Sequence, residues 1–151
     1  MKDIRARLTN LLNGGYCTPR ISALAKALKE PPATIHYNIR QLEKDTINGY
    51  KAVFNYKNID QGFCTYVMIH LMPEEYTDPA KVAKELAEYP QIECVDVVTG
   101  DWDLILRVRT KDIDEYYQFV KNVLGKKRLS RVQSVPSMRQ IKDEFIIIKD
   151  K

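Results

Sequence analysis

Apolar residues recur at helical spacing over the first third of the chain and at strand spacing over much of the rest. Ile4, Leu8, Leu11 and Leu12 mark one face of a first helix, stopped by Asn13-Gly14-Gly15. Ile21, Leu24, Ala25 and Leu28 give a second amphipathic helix, announced by Thr18 as a hydroxyl cap and Pro19. Pro31-Pro32 breaks that helix and starts a third on fixed φ angles, with Ile35, Ile39 and Leu42 as its inner stripe. Gly49 to Phe54 then reads as a short strand, the wing of a three-helix head. Residues 55–62 are polar and turn-rich, as a linker would be.

From Phe63 the period changes. Phe63 to Leu71 is a strand rich in β-branched and aromatic residues, and Asp78-Pro79 opens a helix with Val82, Ala83, Leu86 and Ala87 inside. Ile92 to Thr99 and Leu104 to Arg109 are strands joined through Gly100-Asp101-Trp102-Asp103. Asp112 caps a helix with Ile113, Tyr116, Tyr117, Val120, Val123 and Leu124 as its apolar set. Val132 to Gln140 is the fourth strand, placed by Pro136 at an edge or a bulge. The order βαββαβ predicts a ferredoxin-like antiparallel sheet with both helices on one face. A last apolar run, Phe145 to Ile148, is expected to add a strand to this domain or to a partner. The fold class is therefore α+β: a winged helix-turn-helix domain over 1–54, a linker over 55–62 and the βαββαβ domain over 63–151.

The third helix carries the most telling chemistry. Opposite its apolar stripe stand Ala33, Tyr37, Arg40 and Lys44, flanked by Thr34, His36 and Gln41. These side chains can donate to phosphates and to base edges, and a helix bearing them fits a major groove. A polar helix face is also what any solvated bundle shows; the helix-turn-helix arrangement favours DNA. Charge distribution agrees. Net charge is only +4, but residues 1–62 carry ten Lys/Arg against five Asp/Glu, while residues 63–151 carry fourteen against fifteen. The excess positive charge thus sits on the half that would neutralise phosphates.

Composition sets limits. A chain of 151 residues, 44% hydrophobic and 29% charged, holds one ordinary domain or two small ones. It offers no run of 18 apolar residues to span a membrane, and its charged amphipathic start lacks a signal peptide's apolar core, so a cytoplasmic protein is expected. Cys17, Cys64 and Cys94 are widely spaced, and only His36 and His70 could join them as ligands. Free thiols, with no metal and no cofactor, are the better reading. There is no nucleophile elbow, no phosphate-binding glycine loop and no arguable Cys–His pair, so catalysis is not expected. Lys126-Lys127-Arg128 with Arg131 reads as a solvated loop, His70 as a subunit contact, and Trp102 as a packing residue.

Three segments together resemble the Lrp/AsnC (feast/famine) family of prokaryotic transcription regulators: Thr34-Ile35-His36-Tyr37 running into Ile39-Arg40-Gln41-Leu42-Glu43, then Ile47-Asn48-Gly49-Tyr50, then Val98-Thr99-Gly100-Asp101-Trp102-Asp103. The resemblance covers nearly the whole chain. It implies that the first segment is a DNA-reading helix, and that Gly100, Asp101, Trp102 and Asp103 line an amino-acid effector site between subunits, with Gln133 and Ser134 adding polar contacts. Exposed N–H groups beside a glycine can hold a carboxylate, and Asp101 or Asp103 can pair with an ammonium. The same four residues would also serve as an ordinary hairpin turn. The resemblance further implies a homodimer on double-stranded DNA, with tetramers or octamers as larger assemblies. Two alternatives remain: a subunit similar to sirohaem decarboxylase, which would need a His and Arg cluster lining a tetrapyrrole pocket, and an architectural DNA-binding protein without an effector.

Overall fold

The computed structural model describes residues 3–141, which divide into two compact units, one running up to Phe54 and the other beginning at Asn55. The expected strand at Phe145 to Ile148 lies outside the described residues.

The first unit holds three helices, α1 (Arg5–Asn13), α2 (Ile21–Leu28) and α3 (Pro32–Asp45). Gly14 ends α1, and Gly15 follows at φ +90, a left-handed conformation that the double glycine supplies without strain. Helix α2 starts two residues later than Thr18-Pro19 suggested. Arg20 is its N-cap, and its carbonyl accepts from the Ala23 and Leu24 N–H groups, so the Thr18 hydroxyl caps nothing. Lys29 turns the chain out of α2 in the left-handed region (φ 57), and α3 begins with Pro32 at its first position behind Pro31. Ala25 and Ile35 are buried where α2 meets α3. The other stripe residues are less covered than expected, and Leu28 is 65% exposed. Three helices this short have little shared surface to bury.

The expected wing strand is not formed. Residues 47–55 carry no strand, because a ladder needs a neighbour and the head contains no other strand among the described residues. The segment is held instead by the Tyr50 hydroxyl, which donates to Glu43 on α3 (3.1 Å).

In the second unit, β1 (Phe63–Leu71), α4 (Pro79–Ala87), β2 (Ile92–Val97), β3 (Leu104–Thr110), α5 (Ile113–Asn122) and β4 (Leu129–Pro136) follow in the expected order. All strand pairs are antiparallel, in the order β2-β3-β1-β4, which is the ferredoxin-like arrangement. Pro136 ends β4 on the outer edge, where no ladder donor is required. Alternation decides the two faces. Val67, Ile69 and Leu71 on β1 and Leu104, Leu106 and Val108 on β3 point to one side, and Val82, Leu86, Tyr116 and Phe119 from the helices close over them. Each such side chain contributes roughly 1.5–3 kcal/mol on leaving water.

Both helices are capped as their sequences promise. Asp78 accepts from the Lys81 N–H (3.1 Å) and Asp112 from the Glu115 N–H (2.9 Å), while Glu115 reaches back to the Lys111 N–H (2.7 Å). The face of α5 differs from expectation. Phe119 is buried in place of Ile113 and Tyr117, which are exposed, because Phe119 lies three residues from Tyr116 and four from Val123.

Residues 55–62, expected to be a linker, contain a 3-10 turn (Tyr56–Ile59) fastened to the sheet's other face. The Tyr56 hydroxyl donates to Glu93 (2.8 Å), and the buried Arg109 guanidinium lies 3.6 Å over the Tyr56 ring while its Nε donates to Glu93 (2.7 Å). Among the described residues no disulfide joins the cysteines: Cys64 is buried, Cys17 and Cys94 half-buried. Among the described residues no helix is long and apolar enough to cross a membrane.

Candidate nucleic-acid interface and effector cleft

Helix α3 presents its polar side to solvent. Ala33, Thr34, His36, Tyr37, Arg40 and Lys44 are exposed and Gln41 is half-buried, while Ile35 faces inward. Tyr37 is 64% exposed. The apolar anchor at Ile35 fixes which side is out, since residues at one and two positions from it cannot share its face. Lys44 donates to Gln41 (3.0 Å), which joins two of the expected contact residues into one donor group at the C-terminal end of the face. Asn38 is used internally, donating to the Thr34 carbonyl (2.8 Å). Arg40 stands between these, with a guanidinium suited to bidentate bonds with a phosphate or a guanine edge.

In the second unit, the turn between β2 and β3 borders a cleft of ≈ 600 Å³ lined by His70, Gly100, Asp101, Trp102, Arg131 and Gln133. The turn is closed by a Val98 N–H bond to the Asp103 carbonyl (2.9 Å) and tied to β1 by an Asp103 N–H bond to the Ile69 carbonyl (2.9 Å). Gly100 sits at φ +116, and a Cβ built there would meet nothing within 4 Å. Its glycine is therefore required by torsion, not by crowding.

The two aspartates of the turn differ. Asp103 Oδ2 accepts from the Leu71 N–H (2.8 Å) and from His70 Nδ1 (2.6 Å), so it is spent on holding the turn to the end of β1. Partial burial pushes its carboxyl up, but the Leu71 and His70 bonds outweigh that and hold it below the usual carboxylate range. The Tyr76 hydroxyl lies 2.9 Å from His70 Nδ1, and burial together with the Asp103 charge pushes that phenol up. Asp101 is exposed, with no hydrogen bond or ion pair to another described residue. Of the two carboxylates expected to meet an ammonium, only Asp101 is available.

The expected partners on β4 separate in the same way. Gln133 lies opposite Met68, on the open face of the sheet, and lines the cleft. Ser134 is opposite Val67 on the helix face, where its hydroxyl lies 2.5 Å from that of Tyr116. Adjacent strand residues point to opposite sides, so the two could not both face one site. Ser134, itself exposed, is bonded to Tyr116 rather than turned to the cleft.

Two cleft residues were assigned elsewhere from sequence. Arg131 is two positions before Gln133 and pairs in register with His70, so alternation puts all three on one face. Its guanidinium stacks on Trp102 at 4.9 Å. Period-two counting back from Gln133 would have found Arg131; His70 required the strand register.

Residues 64–147 match the Lrp/AsnC ligand binding domain. An HTH-type transcriptional regulator of Pyrococcus furiosus is 32% identical over 127 residues, covering 83% of this chain and 85% of the relative. Among solved structures, an AsnC family transcriptional regulator from Agrobacterium tumefaciens superposes with a TM-score of 0.74 at 23% identity, covering 98% of this chain and 97% of that one. A transcriptional regulator from Neisseria meningitidis, crystallised as an L-Met complex, gives 0.72 at 19% identity, with 90% and 88% coverage. The domain match, the relative's identity along most of both chains and the order of the elements agree: the chain belongs to the Lrp/AsnC family of helix-turn-helix transcription regulators.

Proposed function

We propose that this regulator reads double-stranded DNA through the exposed side of α3 and changes its DNA-bound state when an amino acid occupies the cleft beside Gly100–Asp103. The observation that carries the DNA-reading part is the α3 face itself: Arg40, Tyr37, His36 and Lys44 stand in solvent on a helix anchored from behind by Ile35. Nothing in the packing of the first unit demands those residue types, whereas groove recognition uses each of them. One such helix contacts too little DNA for tight specific binding, so two copies of the chain read a pseudo-palindromic site as a homodimer, with tetramers or octamers as higher forms. The place of work is the cytoplasm, with the DNA.

Effector control acts by population shift. A ligand held at an inter-subunit cleft favours one assembly over another only by its difference in affinity for the two, and so changes the spacing of the heads. The likeness of the fold to regulators crystallised with L-methionine supports an amino acid as the ligand class. The test combines native mass spectrometry with fluorescence-anisotropy titration of duplex DNA, with and without each amino acid. A ligand that shifts both the oligomer distribution and the DNA affinity supports the reading; DNA binding indifferent to every amino acid removes the effector part and leaves an architectural binder.

A further inference from the structure

The cleft holds an unusual pair. Asp101 and Arg131 both line it, carry opposite full charges, and form no ion pair with each other or with any other described residue. Arg131 is instead laid on the Trp102 ring, which fixes the direction of its guanidinium at little entropic cost. A carboxylate and a guanidinium held apart across ≈ 600 Å³ of open space complement the ammonium and carboxylate of a zwitterion. The remaining lining is polar too. The Gln133 amide has no side-chain partner among the described residues, and His70, on the facing strand, is fixed by Asp103 and Tyr76.

We propose that Arg131 clamps the effector's α-carboxylate, Asp101 takes its ammonium, and Gln133 with the His70 edge selects an amino acid whose side chain is neutral and hydrogen-bonding, such as an amide or a hydroxyl, over an aliphatic one. This rests on the effector reading above and adds the identity of the contacts and the class of ligand. The selectivity follows from desolvation. An aliphatic side chain seated against Gln133 would strip water from an amide donor and acceptor without replacing their bonds, whereas an amide side chain satisfies both. The Arg131 assignment follows from geometry, since a planar fork on a fixed aromatic platform meets a carboxylate with two parallel bonds.

The experiment is calorimetric titration of the full chain with each of the twenty amino acids separately. Glutamine, asparagine, serine or threonine should bind at least roughly tenfold tighter than leucine, isoleucine, valine or methionine. Arg131→Ala should weaken the best ligand by about ten- to a hundredfold. The C-terminal amide of that ligand should bind wild type as weakly as the acid binds Arg131→Ala, and should lose nothing further in the variant. Gln133→Leu should reverse the order of preference towards aliphatic side chains, which a merely misfolded protein would not do. Aliphatic preference in wild type, or equal binding of both classes, overturns the proposal while leaving an amino-acid effector in place. An Arg131→Ala protein that folds by circular dichroism and binds like wild type overturns the clamp. Silence with all twenty overturns the effector reading itself, and this proposal with it.

Discussion

Replacing Asp103 with alanine should cost folding stability, although the residue sits in the turn that borders the cleft. Its Oδ2 accepts two bonds, from the Leu71 N–H at 2.8 Å and from His70 at 2.6 Å, and its side chain is only 13% exposed. Leu71 is 1% exposed and its N–H donates to this carboxylate, so alanine removes the acceptor of a buried donor. That loss is about 1–3 kcal/mol. His70 is 39% exposed and can turn to water, so its bond adds about 0.5–1 kcal/mol, and the whole change comes to roughly 1.5–4 kcal/mol. The carboxyl is held below its ordinary range in the fold. Its contribution is therefore complete above that range and disappears as pH falls through the folded value. Asp103→Asn should accordingly flatten the loss of stability as pH falls through and below the ordinary carboxylate range, relative to wild type. Urea denaturation followed by circular dichroism and by Trp102, the sole tryptophan, measures both effects. A midpoint for Asp103→Ala unchanged from wild type at neutral pH would refute the reasoning.

Other perturbations separate reading from packing. Arg40→Ala should weaken operator binding by about 1–3 kcal/mol at fixed salt with no change in melting temperature, since the residue faces away from Ile35; gel-shift titration and calorimetry check the two parts. Ser134→Ala should lower stability by about 1 kcal/mol through loss of the bond with Tyr116, and Tyr116→Phe should do the same without adding to it in the double variant, while the response to effector stays intact. Gly100→Ala should cost about 1–2 kcal/mol from its positive φ alone, read by denaturation, because the added methyl meets open space.

The sheet domain was legible because its signals are redundant. Alternation in Phe63–Leu71, two Asp caps and a proline at the edge strand each point to one topology, and a shift of register in any strand would turn its core set outward. The failures lie where a single signal had to decide. Tyr116, Tyr117 and Phe119 offer three aromatics within one turn of α5, and periodicity alone could not say which two go inside. Gly49 to Phe54 has strand composition, but a strand exists only with a neighbour. At the cleft, the turn residues came from the family resemblance, since their chemistry fits an ordinary hairpin turn as well, while Gln133 and Ser134, neighbours in sequence, point to opposite faces of β4. His70 and Arg131 stand opposite each other only through the β1–β4 register, which no local pattern encodes.

The most direct test of the central claim, that α3 reads a DNA sequence, is selection of bound duplexes from a random pool by the full-length protein at physiological salt. The prediction is enrichment of a pseudo-palindromic sequence whose half-sites are one helical turn, or a multiple of it, apart, with the enrichment lost or altered at defined base positions in Arg40→Ala. Recovery of an unenriched pool, bound equally well by wild type and Arg40→Ala and weakening uniformly with salt, would contradict it.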